Sequence, residues 1–151
     1  MEMKVEVDQS GKIGDTKVPT MLAFSNGESY AILIPATVKR KCLLALRERG
    51  KETDSLYIQL FSVCLYLLLK SHTKRLTQIV VDVEYPGHES QINQQILHLM
   101  RRAKITHSRF QVSFDRIGKK SRAHDKAWNV YKRNERPGKV IGFREIMAEF
   151  K

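Results

Sequence analysis

Polar and apolar positions alternate over Lys4–Asp8, with Val5 and Val7 on one face and Glu6 and Asp8 on the other. That period of two predicts a half-buried strand, and Gln9-Ser10-Gly11 reads as the turn that ends it at Asp8. Val18–Phe24 (VPTMLAF) reads as a second strand, with Pro19 confined to its start or to an edge. Ser25-Asn26-Gly27 is a hairpin signal, and Tyr30–Ile34 is the returning strand. Pro35 closes this antiparallel meander. A helix then runs from a Thr37 cap to Arg49, stopped by Gly50. A longer helix starts at Thr53 or Asp54 and continues through Lys70. Its apolar side chains surround most of the circumference, which predicts burial.

Gln78–Glu84 follows as a strand, and its β-branched run Ile79-Val80-Val81 suits a position buried on both faces. Tyr85-Pro86-Gly87 stops it. Ser90–Lys104 carries Ile92, Ile96, Leu99 and Met100 at helical core spacing, Phe110–Ile117 is a fifth strand, and Ser121–Arg133 is a helix. The pattern leaves the type of Lys139–Phe150 open. Three meander strands followed by helix-connected strands predict an α/β fold with a mixed five-stranded sheet. Its later strands should run parallel to the first. The 151 residues are expected to form one domain.

Charge changes this picture. Lys and Arg outnumber Asp and Glu by 27 to 16, a net charge of +11, which points to a polyanionic partner. Cys42 and Cys64 fall in apolar helical patterns without metal-ligand spacing, as buried free thiols of an intracellular, cytoplasmic protein would. The N-terminus enters a strand pattern without a signal-peptide apolar stretch. The most lipophilic run, Leu56–Leu69, is broken by Gln59 and Ser62 and falls short of the ~20 residues that span a bilayer. No membrane role is expected.

In a basic chain, the positions of the acids stand out. Asp82 and Glu84 lie on one face at the carboxyl end of the fourth strand, where open α/β sheets place their chemistry. With the first and fourth strands adjacent, Asp8 would neighbour Asp82, and the last long helix would lay Asp125 across the same spot. Clustered carboxylates repel unless a cation neutralises them, and Mg²⁺ or Mn²⁺ suits such oxygen donors. Two such ions can activate water and stabilise a leaving oxygen in phosphodiester cleavage.

The order of elements and three short motifs resemble the ribonuclease H-like superfamily. VEVDQSG, with Asp8, is similar to its first-strand acid followed by a small-residue turn. IVVDVEY, with Asp82 and then Glu84, resembles its fourth-strand acid. SRAHDKAW, with Asp125, is most similar to the acid-bearing last helix of the RuvC-type Holliday junction resolvases. The resemblance implies a metal-dependent nuclease acting on DNA or RNA, with structured or branched DNA foremost. Asp8, Asp82 and Asp125 would be its metal ligands, and Glu84 a further catalytic acid. A junction-cutting enzyme would be a homodimer, since two symmetric cuts need two sites. Residues 37–42 contain no acid, where ribonucleases H proper carry one, and Trp128 stands where RuvC enzymes usually carry another. Those departures support an alternative, a non-catalytic nucleic-acid-binding module on the same fold.

The surroundings extend the reading to substrate contacts. Lys119, Lys120, Arg122, Lys126, Lys132 and Arg133 cluster around Asp125 and are expected to hold phosphates, and Lys39-Arg40-Lys41 offers a second basic patch. Tyr85 is a candidate for base stacking. Trp128 at i+3 from Asp125 is expected in the core and His88 in a loop. His124 is expected at the surface, with a water- or phosphate-contacting role open to it, and a fourth ligand could come from Glu84, Asp115, His124 or water. Each acid also has a purely structural role open to it. Asp8 would cap its turn, Glu84 would face solvent, and Asp125 would complement the helix dipole.

Overall fold

The computed structural model describes residues 3–26, 28–50, 53–105, 111–117, 122–133 and 135–150. Strands β1 (Met3–Ser10), β2 (Thr20–Asn26) and β3 (Glu28–Ile34) form the antiparallel meander. Helices α1 (Ala36–Glu48) and α2 (Thr53–Leu69) lead to β4 (Leu76–Asp82), α3 (Glu89–Arg102), β5 (Gln111–Asp115) and α4 (Arg122–Tyr131). The tail, which the pattern left open, is a two-residue strand β6 (Lys139–Val140), helix α5 (Phe143–Met147) and a 3-10 turn.

The sheet therefore has six strands, in the order β5-β4-β1-β2-β3-β6, rather than the expected five. The added strand is short because only Ile32 and Leu33 of β3 offer it partners. β4 lies parallel to β1 and β5 parallel to β4, the adjacency needed to bring Asp8 beside Asp82. β1 does not end at Asp8. Its ladder with β2 continues through Gln9 opposite Leu22 and Ser10 opposite Met21, and the chain turns at Gly11. Gly11 has a φ of +79°, and a Cβ there would lie 2.1 Å from the Pro19 carbonyl oxygen, so only glycine fits the turn. α1 begins one residue before Thr37, at Ala36, with Pro35 in the cap position and no side-chain cap.

The two faces of the sheet are covered unequally. Val5, Val7, Leu22, Phe24, Ile32 and Ile34 face the larger core, which is completed by α1, α2, α3 and α5. α2 is buried almost all round from Leu60 to Leu69, as its composition predicts. On the opposite face α4 is the covering helix among the described residues, seating Ala127 and Val130 on Met21, Ala23 and Ala31. Small residues on both surfaces let this helix approach β1 and β2 closely, which carries its first turn to Asp8. Among the described residues no helix is long and apolar enough to cross a membrane.

A second device fixes the loop between β1 and β2. Lys39 is fully buried, and its Nζ donates to the carbonyls of Lys12 (3.0 Å) and Asp15 (2.6 Å) and to Thr20 Oγ1 (3.0 Å). Burial pulls its pKa down to about 8, which still leaves it charged at neutral pH. Arg40 donates to the Thr16 carbonyl at 2.6 Å. The Lys39-Arg40-Lys41 patch expected for nucleic acid is thus corrected. Two of its three cations hold the loop, because Lys39 lies on the core face of α1 beside Cys42 and Leu43.

Candidate metal centre

The centre forms where β1 and β4 stop pairing. Their ladder ends at Val7 opposite Val81, so the next residues, Asp8 and Asp82, emerge side by side on the α4 face. After Asp82 the chain leaves the sheet, with the Val83 N–H donating to the Asp115 carbonyl at 3.1 Å, and turns Glu84 back toward the pair. One carboxylate oxygen each from Asp8, Asp82 and Glu84 lies within 4.8 Å of the other two. Among the described residues this is the group with a geometry fit to hold a cation.

The two aspartates are each positioned by hydrogen bonds. Asp8 is 5% exposed, its Oδ1 accepts the Gln9 N–H at 2.8 Å, and its Oδ2 meets His124 Nδ1 at 2.7 Å. Asp82 Oδ1 accepts the Ile117 N–H at 2.9 Å, tying the segment after β5 across the site. Glu84 brings one carboxylate oxygen within 4.8 Å of both aspartates. Carboxylates this close repel one another unless a proton or a cation is shared among them.

The electrostatics follow from that crowding. Burial, then the charges of Asp82 and Asp8, push Glu84 up to about 7, and Lys12 offsets only part of this. Asp8 is also raised, by burial above all, against the Gln9 and His124 hydrogen bonds that favour its ionised form. A group whose folded pKa is raised stabilises the fold below its ordinary pKa and loses that contribution as pH rises through the folded value. Metal-free protein should therefore lose on the order of 1–3 kcal/mol between pH 4.5 and about 7 through Glu84. In chelator the midpoint of thermal unfolding should fall across that window. Glu84→Gln should flatten the fall, and Mg²⁺ or Mn²⁺ should reverse it. An unchanged slope in Glu84→Gln would show that these carboxylates do not repel one another.

The set differs from the expected one. Asp8 and Asp82 are brought together as predicted, but Glu84 is their third member and Asp125 is not. The inward face of α4 is built from Ala123, Ala127 and Val130 at helical spacing. His124 lies close enough to that face to reach Asp8, and one further step of ~100° turns Asp125 to solvent. His124, expected at the surface, is thus the α4 residue that touches the site. The signal was present, an imidazole in the first turn of the helix predicted to cross Asp8, but only the rotation of α4 selects it. Asp115 stands opposite Asp82 in the β4–β5 ladder, exposed, with its carboxylate on the Arg116 N–H at 2.8 Å.

The basic residues separate by role. Lys119 and Lys120 lie outside the described residues. Arg122, Lys132 and Arg133 are exposed, whereas Lys126 is half-buried and paired with Glu135. Trp128, expected in the core, is 45% exposed, since it sits one residue round from the buried Ala127. Its ring stacks on Tyr131 at 5.9 Å between centroids, with Lys132 Nζ 5.0 Å from its centroid. Tyr85 packs on Phe61 at 4.8 Å, and its hydroxyl accepts the Ile13 N–H at 3.4 Å. Cys42 and Cys64 are buried, and burial pushes Cys42 up to about 12 and Cys64 higher, so both are held as inert thiols. No family model, curated protein or solved structure matches the chain.

Proposed function

We propose that this chain is a Mg²⁺- or Mn²⁺-dependent nuclease of the ribonuclease H-like type, hydrolysing phosphodiester bonds in structured or branched nucleic acid. The observation that carries the reading is the convergence of Asp8, Asp82 and Glu84 on one point of a protein whose net charge is +11. Repelling carboxylates are costly in a fold unless a cation is to sit among them, and a basic exterior brings polyanions to them. The run β3-β2-β1-β4-β5, a meander continued by parallel helix-linked strands, is the arrangement the family resemblance implies.

Asp8, Asp82 and Glu84 would hold the cation, which when bound supplies Lewis-acid polarisation of a phosphoryl oxygen and a more acidic water. The chain's own residues prepare the rest. The Gln9 N–H fixes one oxygen of Asp8, and the Ile117 N–H fixes one of Asp82, so neither carboxylate must reorganise. With Asp8 ionised, His124 Nδ1 carries the proton that bonds it, which leaves Nε2 as the proton acceptor of the neutral ring. Exposed Arg122, Lys132 and Arg133 on and just after α4 provide phosphate contacts flanking the acids.

The test is cleavage of a labelled panel comprising four-way junction, duplex DNA, RNA–DNA hybrid and single strands, with Mg²⁺, Mn²⁺ or chelator. Metal-dependent cutting that Asp82→Asn abolishes is expected, with the junction cut most readily. Tight, salt-sensitive binding without cutting, unaltered by Asp82→Asn, would instead identify a non-catalytic nucleic-acid-binding module.

A further inference from the structure

A cleft of about 670 Å³ opens beside the acids, between the loop after β1, the start of α2 and the turn from β4 to α3. Its size lies in the range of about 300–1,000 Å³ typical of small-ligand sites. Glu84 belongs both to its wall and to the carboxylate group, so whatever occupies the cleft touches the metal centre. Neither the cation nor the basic face of α4 makes use of it.

The walls are chemically specific. Tyr57, Tyr85, Ile58 and Pro86 make them largely aromatic and apolar. The Tyr57 ring lies over the backbone of Gly14, where a Cβ would sit 3.6 Å from the ring, and Arg47 Nη2 donates to its hydroxyl at 3.2 Å. Tyr85 is held from behind by Phe61 and at its hydroxyl by Ile13. Both rings are therefore anchored before any ligand arrives. Lys12 and His88 supply cationic or donor groups at the rim, while Asp15 and Glu84 supply carboxylate acceptors. The third wall is rigid as well, since buried Lys39 binds the Lys12 and Asp15 carbonyls.

Fixed aromatic faces, acceptors suited to exocyclic amines and a lysine for phosphate make a receptor for one planar, polar, phosphate-bearing group. We propose that the cleft receives an unpaired nucleobase of the strand whose phosphate sits at Asp8, Asp82 and Glu84. This rests on the nuclease reading for the phosphate and extends it. The substrate must present an unstacked nucleotide next to the cut, as single strands do, as a branch point does once the protein opens a pair there, and as continuous duplex does not.

The probe is a single-stranded DNA oligonucleotide carrying 2-aminopurine, titrated with Ca²⁺ in place of Mg²⁺ so that the carboxylates are neutralised and binding is read without hydrolysis. Intact protein is expected to quench the fluorophore, and the same base inside a duplex should respond far less. Tyr57→Phe should retain the quench. Tyr57→Ala should lose it and bind about tenfold or more weakly. Gly14→Leu provides a second route that spares the tyrosine. A Cβ at this position makes ordinary contact with the Tyr57 ring, and Gly14 lines the cleft, so a leucine there is expected to take up part of its space. It too should lose the quench while unfolding at the temperature of the intact protein. Strand binding with unaltered fluorescence, or equal affinity in all variants, overturns the proposal. The cleavage panel run on the same variants separates the two readings. Cutting by the intact protein with Tyr57→Ala and Gly14→Leu equally active sinks the cleft and leaves the nuclease. Quenching lost in both variants, with no cutting under any metal, keeps the cleft and sinks the nuclease.

Discussion

Asp8→Asn will move activity and metal-free stability in opposite directions. Cleavage should fall on the order of 10³-fold or more, because a lost carboxylate ligand removes several kcal/mol of charge stabilisation at the reacting phosphate. In chelator at pH 8 the same variant should unfold at a higher temperature than the intact protein. Asp8 is almost wholly buried, its carboxyl is raised chiefly by that burial, and it lies within 4.8 Å of two further acids. Its ionised form is therefore a cost that the neutral amide avoids. The amide oxygen can still accept the Gln9 N–H, and His124 can offer an unprotonated Nδ1 to the amide N–H by changing tautomer. A gain in stability is therefore expected, each kcal/mol of it raising the midpoint by about 2–4 °C in a chain of this size. Adding Mn²⁺ should then stabilise the intact protein and leave Asp8→Asn nearly unmoved. Cleavage retained together with a lowered unfolding temperature would mean that Asp8 is a structural acid.

The largest stability effect is expected away from the acids, at Lys39. Lys39→Ala removes a fully buried side chain and leaves the Lys12 and Asp15 carbonyls without their ammonium donor. The Lys12 carbonyl keeps the Asp15 N–H, so the cost comes from the charged hydrogen bonds lost at the Asp15 carbonyl and buried Thr20 Oγ1 together with the lost packing, about 3–5 kcal/mol in all. Lys39→Met keeps most of the packed stem and removes the need to bury a charge, so it should cost clearly less. The gap between the two variants, measured by denaturant unfolding, separates packing from the hydrogen bonds. Both should weaken quenching in the cleft before they weaken metal binding. The loop carrying Lys12, Gly14 and Asp15 hangs on Lys39, while Asp8 is held by the β1–β2 ladder. Equal stability of Lys39→Ala and the intact protein would show that the loop needs no anchor.

Local pattern carried most of the architecture. Period-two alternation in Lys4–Asp8 and the β-branched run before Asp82 each report a local preference, and β1 and β4 formed over them. Ser25 and Asn26, expected in a turn, are instead strand because Ser29 and Glu28 pair with them. The elements misjudged are those whose state depends on a partner. Gln9 and Ser10 are strand only because β2 offers them a ladder, and Lys139–Val140 only because the edge of β3 is open. Trp128 was misplaced for a related reason. Its aromatic character suits a core, but Ala127 beside it is the residue whose size allows α4 to approach the sheet.

The sequence by itself determined an α/β chain with acids at the ends of its first and fourth strands, a basic exterior and two buried thiols. These are properties of composition and of spacing along one element. Only the tertiary structure decided that Glu84 rather than Asp125 joins Asp8 and Asp82, that His124 reaches them, and that Lys39 serves a loop rather than a ligand. The reason is geometric. A difference of one residue on a helix is a rotation of ~100°, and the path of a chain leaving a strand is set by what it packs against. Neither quantity is written in the local pattern, and both decide which side chain faces a given point.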